Sequence, residues 1–333
     1  MTEPTAVLTF LVSGAAVGVA GIRLARYGDT IAARTGLGGL WVGAILLAAA
    51  TSLPEITTDL HAVLQGTPSL AVGDLFGSTM ANMMILAVGD LLTRHTRMLA
   101  RVTINQALVG ALGILLTVIA ALGIFVGGGG ATFGIGWATL TIGVVYIAGM
   151  RLLHRNRPEP PFRTEAEVVA ARRRAGELRM AFIGFGVTAL VILVAARFLA
   201  SSAATLAEAL GVSQGFIGLV LLAVTTSAPE AVVSAAAIRN GSYDLAVGNL
   251  LGSSCFNMMV LLPLDLVEGG GPILATVEPS LIIGALFGVL MTALVLLDVL
   301  NKSERRLWGV EPGPVATILA YGAGLYLVYR AGP

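Results

Sequence analysis

Glu55 and Glu230 each follow a proline inside a long apolar stretch, in the strings TSLPE (51–55) and TSAPE (226–230). A charge at the centre of a bilayer costs about 2.5–3.5 kcal/mol, and a proline removes a backbone hydrogen bond that lipid cannot replace. An acid and a helix breaker placed together there read as a functional site. Around each acid, polar residues recur every four positions, which puts them on one face of a helix. The first region carries Thr51, Glu55 and Asp59, then Asp74, Ser78 and Asn82; the second carries Thr226, Glu230 and Ser234, then Asn249, Ser253 and Asn257. Four oxygen-rich stripes can thus converge on one axis. Each proline also deprives the carbonyl four residues back, Ala50 or Thr225, of its helical donor, so local carbonyls can turn toward a cation.

Carboxylate, amide, hydroxyl and carbonyl oxygens are hard ligands, suited to Ca2+, Mg2+ or Na+ and not to zinc or copper. Calcium takes about six to eight such oxygens, and two opposed glutamates neutralise one divalent ion. At about 6 Å and an effective dielectric near 20, two carboxylates repel by nearly 3 kcal/mol. An empty site therefore recruits Na+ or protons. A site that crosses a membrane filled by one cation or another, and rarely empty, is the physical core of exchange.

The elements that must hold these residues follow from composition. The chain is 56% hydrophobic and 12% charged, against about 25% charged for an average soluble domain. Its mean hydropathy of +0.89 marks a polytopic membrane protein. Ten spans of about 20 residues are predicted. They lie near 5–25, 38–64, 70–92, 103–126, 132–153, 179–200, 213–238, 245–267, 275–299 and 312–330, the second and seventh broken by their own prolines. The start, MTEPTAV, has no basic segment, so the first span is read as retained. Every second connection carries the basic residues, among them Arg23, Arg26 and Arg34, then Arg94, Arg97 and Arg101, then Arg151 to Arg179. Both termini are accordingly expected outside and the central loop in the cytoplasm of a cell-membrane protein. The loop's Arg157–Phe162 reads as a stiff linker and Glu165–Arg179 as a short helix with acids early and arginines late.

Thr51–Leu86 and Thr226–Leu261 align without a gap at the 175-residue separation of the two glutamates, sharing TS, PE, LAVG, GS and NMM. Five spans precede the central loop and five follow, so the copies start on opposite sides of the membrane. The expected fold is all-α: ten helices as two inverted five-helix repeats, a plan in which secondary transporters bind substrate at discontinuous helices near the midplane. The first half is 1–153 with its repeat at 51–86, the loop 154–178, and the second half 179–333 with its repeat at 226–261.

TSLPE with GDLFGSTMAN, and TSAPE with GNLLGSSCFN, resemble the two alpha-repeats of the cation/calcium exchanger superfamily, closest to its sodium/calcium exchanger branch. The resemblance implies that Glu55 and Glu230 are the central calcium and sodium ligands. It implies that Thr51, Ser52, Thr226 and Ser227 add ligands together with nearby carbonyls, those of Ala48 and Ala223. Ser78, Ser253, Asn82 and Asn257 would line the same cavity. It further implies that the first and sixth spans slide against a fixed core, exchanging several Na+ for one Ca2+. The sequence departs from the family pattern at Asp59, where a small or hydroxyl residue is usual, and at Asp74, where asparagine is. Asp59, nearer the outer surface, is read for a vestibule or paired role ahead of direct ligation. Asp74 is open between ligation and such a role.

The expected function is Ca2+/Na+ antiport. The alternative is proton-coupled antiport of Ca2+ or another divalent ion on the same fold; a cation channel is a more distant one. No nucleophile with a base and no histidine metal set is found, so the chain is not read as an enzyme and no cofactor is expected. Its partners are the bilayer and the transported ions, Ca2+ and Na+ or H+, with no nucleic acid and no protein partner. Cys255 is the single cysteine, so no internal disulfide forms. His61 lies off the Glu55 face; Asp298 with Lys302 reads as an i,i+4 pair, Glu278 as a helix start, Asp265 and Glu268 as solvated acids near the outer mouth, and the glycine run from Gly127 as a loop. The Arg-, Ala- and Gly-rich composition points to a prokaryote.

Overall fold

The computed structural model describes residues 3–93, 97–127, 130–132, 134–155, 165–209, 223–269, 271–301 and 312–331. Helix α1 (Glu3–Thr35) leads to a broken segment: α2 (Gly38–Trp41), a π-helical stretch (Val42–Leu47), α3 (Ala48–Thr51) and α4 (Leu53–Leu64). Then come α5 (Pro68–Leu92), the short α6 (Met98–Arg101), α7 (Gln106–Phe125), a two-stranded ribbon of β1 (Ala131–Thr132) and β2 (Ile135–Gly136), and α8 (Trp137–Arg155). The second half runs α9 (Glu165–Ala209), α10 (Ala223–Thr226), α11 (Ala228–Arg239), α12 (Tyr243–Glu268), α13 (Ile273–Thr276), α14 (Leu281–Leu300) and α15 (Pro312–Ala331). Four pairs, α3 with α10, α4 with α11, α6 with α13 and α7 with α14, begin and end at the same separation as the two glutamates.

The matching turns have one physical cause. Gly66 and Gly241 adopt φ of 75° and 78°, a left-handed conformation that costs glycine no Cβ clash. Gly66 N–H then donates to Val63 O at 2.9 Å and Thr67 N–H to Ala62 O at 3.0 Å; Gly241 N–H donates to Ile238 O at 3.0 Å and Ser242 N–H to Ala237 O at 2.9 Å. These bonds satisfy the last carbonyls of α4 and α11. Each chain copy thereby reverses at once into α5 or α12.

Polarity is arranged inside out. Leu8, Leu115, Phe125, Val144, Leu190, Leu297 and Leu319 face outward, while Thr51, Glu55, Asp74, Glu230 and Asn249 are buried. That is the pattern of a protein whose solvent is hydrocarbon. Among the described residues seven helices are long and apolar enough to cross a membrane, or eight if the pair Gly38–Thr51 and Leu53–Leu64, bent by 43°, is one span. The helix at 312–331 stands where the tenth span was predicted but is not among the seven, and much of the predicted seventh span, 213–238, lies outside the described residues.

Two bodies emerge from the packing. The larger apolar cluster unites α5, α7, α12 and α14 through residues such as Leu75, Leu116, Leu250 and Met291. A second cluster joins α1 and α9, with Leu24, Ile31, Phe185 and Ile192, to Val233 and Ala237 of α11. Both α1 and α9 run beyond the predicted 5–25 and 179–200. Their extensions are held to each other by an ion pair between Arg34 and Glu177. The broken segment meets α12 backbone to backbone: a Cβ on Gly43, Gly248 or Gly252 would collide with carbonyl oxygens of Leu245, Leu40 or Ala44. Small residues at these places permit the approach.

Several expectations need correction. The chain is nearly all helical as expected, except that 131–132 and 135–136 pair as an antiparallel ribbon where the fifth span was to begin. Gly130 and Gly134, at φ of 95° and 83°, turn the backbone there, and α8 starts only at Trp137. Asp265 is not a solvated acid: it is buried, its Oδ1 accepts Ile273 N–H at 2.6 Å, and its Oδ2 accepts Gly136 N–H at 2.8 Å and the Thr139 hydroxyl. It ties the ribbon to α13. Asp298 pairs with Arg97, at 2.9 Å between Oδ1 and Nη2, fastening the end of α14 to the segment before α6. Lys302, its expected partner, lies outside the described residues.

Candidate cation site

Each broken segment is interrupted at a serine. Ser52 (φ −83°, ψ −1°) precedes α4 and Ser227 (φ −81°, ψ 4°) precedes α11, and in neither does the hydroxyl cap its own helix. The prolines two residues on have no N–H to miss, which lets them occupy the first turn. Freed from capping, the hydroxyls cross to the other half. Ser52 Oγ donates to Glu230 Oε1 at 3.3 Å, and Ser227 Oγ donates to Glu55 Oε1 at 3.1 Å. The two bonds are copies of one another at the repeat separation.

A second reciprocal pair flanks the first. The Thr51 hydroxyl lies 3.3 Å from Asn249 Oδ1 and 3.5 Å from Ser253 Oγ, as well as 3.0 Å from the Leu47 carbonyl of its own helix. Thr226 Oγ1 donates to Asp74 Oδ1 at 3.3 Å. Asn249 was placed on a polar stripe by its spacing but not singled out as a site residue. Its correspondence to Asp74 in the repeat was the signal that could have done so.

The predicted residues Glu55, Glu230, Thr51, Ser52, Thr226, Ser227, Ser78, Ser253, Asn82, Asn257, Asp59 and Asp74 are all buried, at 1% exposure or less. Ser78 and Asn257 adjoin the Glu55 carboxyl, and Glu55 and Glu230 lie within electrostatic reach of each other. Glu55 Oε2, Glu230 Oε2, Ser78 Oγ and both polar atoms of Asn82 and of Asn257 find no hydrogen-bond partner. Buried polar atoms are seldom left so, and a cluster of them is a place that a ligand or water completes. The carbonyl of Ala48 accepts Ser52 N–H at 3.0 Å and also lies 3.4 Å from the Thr51 hydroxyl. Ala223 opens the short α10, with its backbone at the corresponding place.

His61 is not brought to this site; it is exposed and contacts Gln65, Nε2 to Nε2, at 3.0 Å. Ion pairs join Arg34 to Glu177 and Arg97 to Asp298, and neither includes Glu55, Asp59, Asp74 or Glu230. No three His, Cys, Asp or Glu side chains there converge as a metal centre. An ion held here draws on carboxylates supplemented by neutral hydroxyl, amide and carbonyl oxygens. That donor set fits Ca2+ or Na+ and has nothing to offer a soft metal.

Comparison with known proteins gives a consistent picture. A family model described as sodium/calcium exchanger protein matches residues 5–151 and again 180–330. The inner membrane protein YrbG of Escherichia coli is 29% identical over 253 residues, covering 74% of this chain and 75% of that protein. A putative antiporter, CaxA, of Alkalimonas amylolytica is 29% identical over 246 residues, covering 74% and 75%. Among solved structures, the sodium-calcium exchanger NCX_Mj soaked with 10 mM Na+ and zero Ca2+ superposes with a TM-score of 0.74 over 100% of both chains at 20% identity, a likeness of fold.

Proposed function

The chain belongs to the sodium/calcium exchanger family, and on that premise we propose that it is a secondary antiporter exchanging Ca2+ for Na+ by alternating access. The observation that carries this reading is the crossed pair of bonds, Ser52 to Glu230 and Ser227 to Glu55. Each glutamate keeps its second oxygen unpartnered, and Ser78 and Asn257 adjoin Glu55. One Ca2+ between the two acids is neutralised; without it, Na+ must replace it before the site can move through a low-dielectric region. The ligands are Glu55 and Glu230, with Thr51, Ser52, Thr226, Ser227, Ser78, Ser253, Asn82, Asn257 and the carbonyls of Ala48 and Ala223 around them.

In this proposal the chain crosses the membrane ten times, as inverted halves 1–153 and 179–333, with both termini outside and the connection 154–178 in the cytoplasm. The gap between the two family-model matches, 152–179, supports that division. Helices α1 and α9 move as a pair against the body built on α5, α7, α12 and α14. The apolar cluster that joins α1 to α9 supports their moving as a pair, though it also takes in Val233 and Ala237 of α11 and Leu245 and Ala246 of α12.

The test is calcium uptake by the purified chain in proteoliposomes under an imposed Na+ gradient, compared with a pH gradient at clamped potential. Uptake driven by outward Na+ is expected. Uptake that follows pH and ignores Na+ selects proton coupling instead, and flux that needs no counter-ion selects a channel.

A further inference from the structure

Two cavities border α9, and they differ in chemistry. One is an open groove of about 680 Å³ between α1 and α9, walled by Leu8, Val12, Leu190, Val191, Val194 and Phe198. Ser13, also in that wall, donates its hydroxyl to the Thr9 carbonyl at 2.6 Å. The other, of about 500 Å³, lies between α4 and α9, where Thr57, Thr58, His61, Arg197 and Ser201 line it. The Thr57 and Thr58 hydroxyls both donate to Pro54 O. Arg197, Ser201 and His61 are left as the donors toward that space.

Leu190, Val194, Arg197 and Ser201 follow at spacings of four, three and four, so they form one stripe along α9. All four are exposed, on a segment long and apolar enough to cross a membrane. At ~1.5 Å per residue the stripe rises about 16 Å, roughly half of a ~30 Å hydrocarbon core. It therefore matches the depth of one leaflet, apolar at one end and cationic at the other. Arg197 joins no ion pair among the described residues, and no acid there lines either cavity. An arginine facing lipid is costly unless its head reaches the interface and meets an anion.

We propose that this face of α9 binds an anionic phospholipid, with the phosphate on Arg197, Ser201 and His61 beside it, and one acyl chain in the groove between α1 and α9. Guanidinium and phosphate form a strong charge-assisted pair. The choline or ethanolamine of a zwitterionic head would find no carboxylate in the pocket, which selects the anionic kind. In the proposed orientation the site lies in the outer leaflet. It goes beyond the exchange reading, because binding is measured without ion flow.

The experiment is native mass spectrometry of the full chain in detergent, titrated with phosphatidylglycerol or with phosphatidylcholine of the same acyl chains. Saturable binding of one phosphatidylglycerol, about tenfold tighter than phosphatidylcholine, is expected. Arg197→Gln should weaken it about tenfold or more, as loss of a charged hydrogen bond requires, and Arg197→Lys should weaken it less. Val194→Trp fills the groove, keeps the arginine and should weaken both lipids. Arg330→Gln makes the same change at an exposed arginine of α15 and should leave binding unaltered. Melting temperatures without added lipid separate lost binding from lost fold, and the comparison of lysine with glutamine at 197 stands apart from the groove variant.

Phosphatidylglycerol binding that survives Arg197→Gln overturns the proposal, as does equal affinity for the two lipids. If Val194→Trp has no effect and inorganic phosphate displaces the lipid, the pocket takes a free anion only and the proposal fails. Failure of Na+ to drive calcium uptake would sink the exchange reading and leave this result untouched.

Discussion

Glu55 and Glu230 occupy nearly interchangeable surroundings, each on the first turn of a half-helix, each accepting a bond from the serine that opens the other half-helix. One turn further on the resemblance stops, with a bonded Ser234–Asn249 couple in one copy and two adjoining acids, Asp59 and Asp74, in the other. The likeness and the difference answer to different demands. In the proposed exchange cycle, a centre that accepts the same ions from either face of a membrane gains from being the same seen from both. Its periphery is under no such demand and can carry a charge that only one half possesses. The same division appears in the scaffold. Ser69 Oγ accepts Glu278 N–H at 3.1 Å and, at the matching place, Asp244 Oδ1 accepts Thr103 N–H at 2.8 Å, so the job is kept while the residue changes.

The comparison breaks first at its centre. Glu55→Gln and Glu230→Gln should each lower calcium uptake in proteoliposomes about 100-fold or more, since losing one charged member of a buried set costs roughly 3–5 kcal/mol. Near-normal uptake by either variant would end the equivalence of the copies.

A smaller effect probes the scaffold. Gly252→Ala drives a methyl into the backbone of Ala44 and should cost about 1–3 kcal/mol, read as a fall in thermal stability. Gly77 stands at the corresponding place in the first copy. If that copy grips the broken segment of the other half in the same way, Gly77→Ala lowers stability by a similar amount, and a harmless Gly77→Ala shows that the grip is one-sided.

The gentlest test removes the crossing hydroxyls. Ser52→Ala and Ser227→Ala each delete one bond to a carboxylate, worth about 1.5–3 kcal/mol. Each should weaken calcium affinity by roughly tenfold or somewhat more in equilibrium binding. Equal losses sharpen the symmetry; a loss confined to one serine shows that the ion sits nearer one glutamate.

Much of this was legible in the chain. The polar identities at constant separation announced both copies of the site, because apolar matches between membrane helices arise easily but TS, PE and NMM together do not. The i,i+4 stripes placed Glu55 with Asp59 and Asp74 with Ser78, and those residues are indeed buried together. What spacing could not convey was the direction of a hydroxyl. Ser52 and Ser227 were equally free to cap their own helices, and only the meeting of the two halves turns them outward. Asp265 and Asp298 were misread for a related reason. Each stands at a helix end, where sequence suggests water, yet each is enclosed by segments distant along the chain: the 131–136 ribbon for one and Arg97 for the other. The ribbon itself was hidden by apolar neighbours that read as the start of a span.

Because each serine serves the acid of the other half, inheritance of the site is shared between the copies. A half-chain by itself would carry a glutamate whose hydroxyl donor is missing and a serine with no acid to reach. A chain of single length could complete both bonds only by meeting a second copy of itself. The copies differ even where they touch, since Thr226 meets an aspartate, Asp74, where Thr51 meets an asparagine, Asn249.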